Sequence, residues 1–425
     1  MRQYGEKFYA GVFEQAFSRL TLPDFVEGSD ANNLYNNAPI TGFTFAAVQN
    51  ETEFTQYMKE RNIVPMAIGT DFDSPVVPFA KEGIRYAGGT IPRFKTRKEF
   101  NEQDIRKGAE VASYDGADAF RMWAEDNIFY TNEEHITSHW NRQTWLRHQL
   151  VSKGQVILDK TNNPYGVTGI VIPGNVPSEN ITRLAGENRW WTDSIGGNQG
   201  SSSSIPESLN EIADNVSRRY GLRSMHWEVD YDTAKAIVNH DSVISALAVI
   251  ALTNAAVATT AESAIRLMKW DARLEALNAI LTFPIRVIDH LAANEKFDKS
   301  AGRLTKQELN SFDPNVIVLM PDGELGRIVP LRPIQVGRVE HFANFFDGRG
   351  KIVTKWDEYK SVEYMEFELT ATPVLDMPQY MYYLDFMGDA GISGVSASIN
   401  LDPAVLESTA SAKTVKATKA SKTEE

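Results

Sequence analysis

One rigid rod limits the folds open to this chain more than any other feature. Thr131 followed by Glu134 has the form of a capping box, in which the Thr oxygen accepts from a first-turn N–H and the Glu reaches back. Gly154 supplies the stop, because glycine takes the left-handed conformation at a helix end without penalty. About 22 residues between these signals make a helix on the order of 33 Å long, enough to cross a whole lobe. Upstream, Phe120, Trp123, Asn127 and Ile128 give a partial apolar stripe that extends the helical region from Phe120 to Lys153.

The other elements arrange themselves around that rod. At 425 residues the chain exceeds what one core usually supports, so two or three lobes are expected. Residues 1–62 read as an N-terminal arm, with a short amphipathic helix near Glu6 to Leu20 and then the polar run SDANNLYNNAP. From Ile63 to Lys98 short β-like runs alternate with turns, and Pro65, Pro75 and Pro78 remove ladder donors, which fits an exposed hairpin. Such a hairpin has open edges that a neighbour would have to cover. After the rod, QVILDKTNNPYGVTGIVI reads as a second hairpin around an Asn-Asn-Pro-Tyr-Gly turn, and GGNQGSSSSI as a hinge.

Ser204 with Glu207 gives a second capping box for a helix ending at Gly221. LRSMHWEV alternates as a strand, with Asp230 as N-cap for a helix over Thr233 to Asn239. Val243 to Ala261 is the longest apolar stretch, but Ser245, Thr253, Asn254, Thr259 and Thr260 interrupt it. It reads as buried helix, since a membrane span needs about 20 predominantly apolar residues. Helices around Ala261 to Leu281 precede a strand in PIRVIDH, and NVIVLMPDGELGRIVPL reads as strand, tight turn, strand. β character returns in YMEFELTATPVLDMP and MYYLDFMG. From Ser408 the composition falls to Ser, Ala, Thr, Lys and Glu, a disordered tail whose Lys413, Lys416, Lys419 and Lys422 could alternatively touch nucleic acid or a partner. MRQYGEKFYAGVFEQAF lacks the layout of a secretory signal.

Charge and chemistry exclude several classes. A formal charge of −13 argues against a protein that grips DNA, although enclosing it remains compatible. The absence of cysteine removes disulfides, thiol catalysis and Cys-ligated zinc, and fits a reducing interior. His135 and His139 share a helix face, but Ile136 stands where HExxH needs its Glu, so the face reads as solvated or interfacial. Asp230 and Asp232 resemble a carboxylate pair, yet helix capping accounts for them more simply. GRGKIVTK from Gly348 lacks the first Gly of a phosphate loop and has Ile352 in place of Ser or Thr. GISGV puts Val395 where a nucleophile elbow needs Gly, and GGNQG matches no dinucleotide fingerprint. A triad defined by geometry alone stays open. No catalytic, cofactor-binding or metal residue is assigned. The basic group Arg93, Lys95, Arg97 and Lys98, placed at the far end of the exposed hairpin, is compatible with nucleic-acid contact or a solvated face, but the acidic body fits candidate intersubunit contacts that dock on a negatively charged neighbouring copy better.

The succession IPRFKTRKEFNEQDI, TNEEHITSHWNRQTWLRHQLVSKG and QVILDKTNNPYGVTGIVI resembles the lambda-type tailed-phage major capsid proteins, the major capsid protein E family. The likeness continues through RWWTDSIGGNQGSSSSIPESLNEIADNVSRRYG, MHWEVDYDTAKAIVNHDSV, NVIVLMPDGELGRIVPL and MEFELTATPVLDMPQYMYYLDF, covering about Pro65 to Met387. It implies an α+β fold of the Hong Kong 97 type. By position the N-terminal arm is 1–62, the extended loop 63–98 and the peripheral lobe with its spine helix 99–203. The axial lobe is then 204–345, a return to the peripheral lobe 346–407, and the tail 408–425. The resemblance further implies hexamers and pentamers in an icosahedral shell enclosing double-stranded DNA without sequence-specific binding. Portal, scaffold and decoration proteins would be partners, no cofactor or membrane is involved, and the location is the virion, after assembly in host cytoplasm. The arm, the apolar Val243 to Ala261 segment and the Lys-rich tail depart from the lambda pattern. An encapsulin-like nanocompartment, revealed by enzyme cargo, and a cytosolic hydrolase, revealed by turnover from a monomer or dimer, are the alternatives.

Overall fold

The rod forms as helix α1, Tyr130–Lys153, whose 24 residues span about 36 Å. Gly154 ends it at φ +69°, its N–H donating to the Leu150 carbonyl at 3.0 Å. A Cβ there would stand 2.7 Å from the Ser393 carbonyl oxygen, so glycine is required by space as well as by torsion. Thr131 lies inside the helix and does not precede it, so the capping box expected there is not its start. The computed structural model describes residues 40, 42–59, 84–100, 130–251, 258–298, 303–333, 342–357, 362–388 and 390–394, with single residues between 103 and 122. The expected arm helix near Glu6, residues 63–83 of the 63–98 extended loop, the apolar stripe Phe120, Trp123, Asn127 and Ile128, and the tail lie outside them.

Two sheets meet α1. One has six strands: β1 Phe43–Phe45, β4 Arg93–Phe100, β13 Gly326–Pro330, β14 Phe342–Phe345, β15 Gly350–Asp357 and the long β16 Val362–Leu375. β16 pairs along its first half with β4 and β15, and along its second half with β13. The other sheet runs β7 Ile181–Arg183, β17 Tyr382–Asp385, β12 Val316–Pro321, β8 Met225–Asp230 and β9 Ile285–Ile288. Three two-stranded ribbons stand apart: β2 Glu53–Lys59 with β3 Ile84–Thr90, β5 Gln155–Ile157 with β6 Val171–Pro173, and β10 Leu291–Asp298 with β11 Arg303–Asn310.

β12 shows how the cores divide. Val316, Val318 and Met320 belong to a core under α1, whereas Ile317 and Leu319 belong to a second core. A strand alternates its side chains between faces, so apolar residues at every position mean burial on both sides. The second core is roofed by α2 Ile205–Tyr220, α3 Tyr231–Asn239, α4 Asp241–Ala251, α5 Ala258–Leu267 and α6 Trp270–Asn278. Val243, Ile244, Leu247 and Ala248 of the apolar stretch are buried here, and no helix among the described residues is long and apolar enough to cross a membrane. Trp190, Trp191, Leu384 and Phe386 join this same core from distant parts of the chain.

Several local expectations meet a different outcome. β12 and β13, read as neighbours around a tight turn, enter separate sheets, and Asp322–Leu325 is the crossover between them. The Gly-Ser hinge is instead a tied loop: Asp193 Oδ1 accepts from the Ser194 and Asn198 N–H groups, and Gly200 N–H donates to the Trp190 carbonyl. α2 ends at Gly221 as expected, at φ +65°, but the Ser204 side chain makes no capping bond. Ser242 Oγ, from the start of α4, accepts from the Ile205 N–H at 3.1 Å and also lies 2.8 Å from His240 Nδ1. Ser242→Ala leaves that part-buried N–H unsatisfied, and urea denaturation should record a loss of about 1–2 kcal/mol, whereas Ser204→Ala should cost less.

Polar side chains of α1 are buried too, and each described contact explains one of them. Gln149 Nε2 donates to the Ser311 carbonyl at 2.8 Å, and Gln143 Nε2 to the Ala371 carbonyl at 3.2 Å. Arg147 makes two parallel bonds to Glu228 on β8, at 2.6 and 2.7 Å, with both residues fully buried. Burial on its own would raise the Glu228 carboxyl; the Arg147 charge and the His226 and Arg147 hydrogen bonds outweigh it and hold the group at about 2.

Candidate intersubunit surface

The basic residues near position 95 do not sit at the end of the exposed hairpin. They lie on β4, part of the six-stranded sheet, and the two-stranded ribbon that precedes it is β2–β3. Strand alternation also splits the group: Arg93, Lys95 and Arg97 share one face, while Lys98 takes the opposite parity, in register with Met365. The register places Lys95 opposite Glu368 and Arg97 opposite Glu366. Arg93 Nη2 donates to Glu368 Oε2, Lys95 Nζ lies 3.5 Å from the same carboxylate, and Arg97 Nη2 is 3.0 Å from Glu366 Oε1. Lys351 of β15 reaches Glu368 from the other side at 3.4 Å.

This is a charge ladder three strands wide. Burial would raise Glu368, but the Arg93 hydrogen bond and the charges of Lys351, Arg93 and Lys95 hold it below the usual carboxylate range. The carboxylates are covered, with side chains of Glu366 and Glu368 12% and 11% exposed, while those of Arg93, Lys95 and Arg97 are 53%, 39% and 46% exposed. The cations therefore neutralise acids of their own subunit and still present an outward rim. The partners Glu366 and Glu368 were not singled out in the sequence. The matching signal was present: acids two apart in MEFEL and bases two apart in RFKTR have the spacing of cross-strand partners.

Of the histidine pair, His139 is buried and His135 half-buried, so the expectation of a solvated or interfacial surface is corrected at His139. His139 is buried against Phe345, with ring centroids 5.7 Å apart, and Thr96 Oγ1 is 3.4 Å from its Nε2. His135 stacks on Phe367 at 5.0 Å. Burial lowers both imidazoles, His139 to about 4, and Lys98 adds to the effect at His135. Among the described residues no group of three His, Cys, Asp or Glu is placed to hold a metal ion. Asp230 caps α3, accepting from the Asp232 N–H at 3.1 Å, and the raised pKa it owes to burial needs no catalytic explanation.

Two Ser–His groupings resemble hydrolytic centres and fail on order. In a triad the imidazole touches both the hydroxyl and the carboxylate. Asp322 instead stands between Ser224 and His226, at 2.8 and 2.7 Å, so the imidazole faces carboxylates and no serine in these contacts. His240 has Ser242 Oγ at 2.8 Å on one nitrogen, with Ser203 Oγ at 3.3 Å and the Trp190 carbonyl at 3.1 Å on the other. Among the described residues neither nitrogen of that imidazole bonds a carboxylate. The GRGKIVTK segment is the β14–β15 turn running into β15, where Lys351 serves the charge ladder and Arg349 pairs with Asp347 at 3.0 Å.

Sequence comparison places the chain against the family described as Phage major capsid protein E, which matches residues 33–327. Among curated proteins none matches the chain. Similar solved structures include a phage-related protein from Bordetella bronchiseptica RB50, at 11% identity and TM-score 0.41 over 85% of this chain and 97% of that one. The mature capsid of bacteriophage PhiM1 aligns at 10% identity and TM-score 0.41, over 81% of this chain and 85% of that one. The family match, and not these distant superpositions, carries the assignment.

Proposed function

The chain belongs to the phage major capsid protein E family, and from that premise we propose that it is the head protein of a tailed bacteriophage, assembling as hexamers and pentamers into an icosahedral shell around double-stranded DNA. A capsid protein is a component of the virion and a structural protein. The observation that carries the reading is the family match over residues 33–327, well over half of the chain. The physical character of the subunit supports it: its Ser–His groupings lack triad order, and two ribbons besides the short β5–β6 hairpin pair with neither main sheet. Lateral contacts that are weak singly become strong when symmetry repeats them around a closed assembly.

In this reading α1 is the spine of a peripheral lobe, the helical core over α2–α6 is the axial lobe, and β2–β3 is the base of the extended loop. The outward donors of Arg93, Lys95 and Arg97 meet acidic groups of a neighbouring copy, fixing registration more than affinity. Portal, scaffold and decoration proteins are the further partners, and assembly takes place in the host cytoplasm. Electron microscopy of the expressed full chain, alone and with a co-expressed scaffold, is the test. Hollow regular particles are the expected result. A monomer or dimer by light scattering under both conditions, at every salt concentration tried, would overturn the reading.

A further inference from the structure

The β10–β11 ribbon is the most unusual element of the chain that the shell reading leaves without a role. Its strands pair over eight residues each, from Leu291↔Asn310 to Asp298↔Arg303, and neither joins another strand among the described residues. Its base is held firmly. Trp145 Nε1 and Gln149 Nε2 both donate to the Asn310 carbonyl, Ala292 and Leu309 pack on the core under α1, and Asn294 Nδ2 donates to the Asn162 carbonyl at 2.7 Å. These bonds tie the Asn310 end of the ribbon to the spine helix.

Exposure alternates along it with the period of a strand. Ala292, Asn294, Gln307 and Leu309 are half-covered by the chain itself, while Leu291, Ala293, Lys306 and Glu308 are exposed, Leu291 at 70%. Over the half nearest its base one face is thus partly covered by the subunit and the other is open, while Lys296, further out on the covered face, is exposed as well. A lone two-stranded ribbon in water is marginal, and two open edges invite pairing. Eight residues at about 3.4 Å make it roughly 27 Å long, so the open face offers only a few hundred Å2. That is well below the ~800 Å2 per partner of a stable stand-alone complex. So small a surface suits a contact repeated by symmetry better than a free-standing complex with a foreign protein. Across it Glu295 faces Lys306, which leaves the outward charge nearly balanced and adds no strong electrostatic demand.

We propose that the open face of the β10–β11 ribbon is a lateral contact seated on a second copy of this chain, an inference that rests on the shell reading above. The absence of cysteine provides a clean probe. In Ala293→Cys the single thiol reports only on the ribbon, and its reaction with a maleimide dye is followed in assembled particles and in subunits dissociated from them. Labelling at least tenfold slower in particles is expected. Equal rates overturn the contact. Protection that appears only when a scaffold or decoration protein is present overturns the second copy in favour of that partner. Leu291→Glu gives an independent reading: particle yield should drop at least tenfold while the denaturation midpoint of the subunit is unchanged, and normal yield sinks the proposal. If the unmodified chain forms no particles, the shell reading fails and the ribbon contact fails with it; particles with a freely reactive Cys at 293 remove the ribbon contact alone.

Discussion

Arg147→Ala is expected to cost the subunit about 3–5 kcal/mol, the penalty of stranding a buried carboxylate without its cation. Arg147 and Glu228 are both fully buried and joined by two short bonds, so the lost guanidinium cannot be replaced by solvent. Natural domains hold only about 5–15 kcal/mol in reserve, so the loss takes a large part of the margin and the variant should unfold at a clearly lower urea concentration. The double variant Arg147→Met, Glu228→Met removes both charges and fills the space, and should recover much of the loss. Urea denaturation of dissociated subunits measures both. A single variant within 1 kcal/mol of the parent would show that the pair does not hold α1 to β8.

Acid should weaken the subunit well above the range where carboxylates titrate. Burial lowers His139 to about 4 and His148 to about 3, with the Arg147 charge adding to the shift at His148. Unfolded imidazoles take up protons near their ordinary value of 6.5, so between that value and the folded values the unfolded chain binds more protons. The stability from keeping these rings neutral is complete above pH 6.5 and drains as pH falls towards 4 and 3, at about 1.4 kcal/mol per unit for each group. Several kcal/mol should be lost between pH 7 and 4. Glu228, held at about 2, is lowered rather than raised, so its contribution is lost only below the ordinary carboxylate value of 4.5. Urea midpoints at pH 7, 6, 5 and 4 test this, and His139→Asn with His148→Asn should flatten the slope. A parent profile already flat across that range would contradict it.

The parts of the fold that could be read in advance are those fixed by neighbours in sequence. Gly154 and Gly221 ended their helices because a left-handed residue is a local requirement, and Asp230 capped α3 through a bond two residues away. The hairpin after α1 was legible from its Asn-Asn-Pro-Tyr-Gly turn and pairs as β5–β6, with Asp159 Oδ1 accepting from the Thr161 and Asn162 N–H groups as the chain leaves β5. What escaped depended on distant partners. Ser204 looked sufficient to cap α2 until Ser242, from another helix, took the first N–H. His135 and His139 carry a pattern that suits water equally well, and only β14 and β16 packing beneath them removes the solvent. The basic stripe was recognised as a feature, yet its site was misjudged because the register that sets Arg97 against Glu366 spans 269 positions.

β12 has a thermal consequence. Because successive side chains of one strand are shared between the two apolar interiors, neither half can melt while the other keeps that strand in place. Isolated subunits should therefore give a single calorimetric endotherm, with van't Hoff and calorimetric enthalpies in agreement, despite a length at which separate melting steps are common.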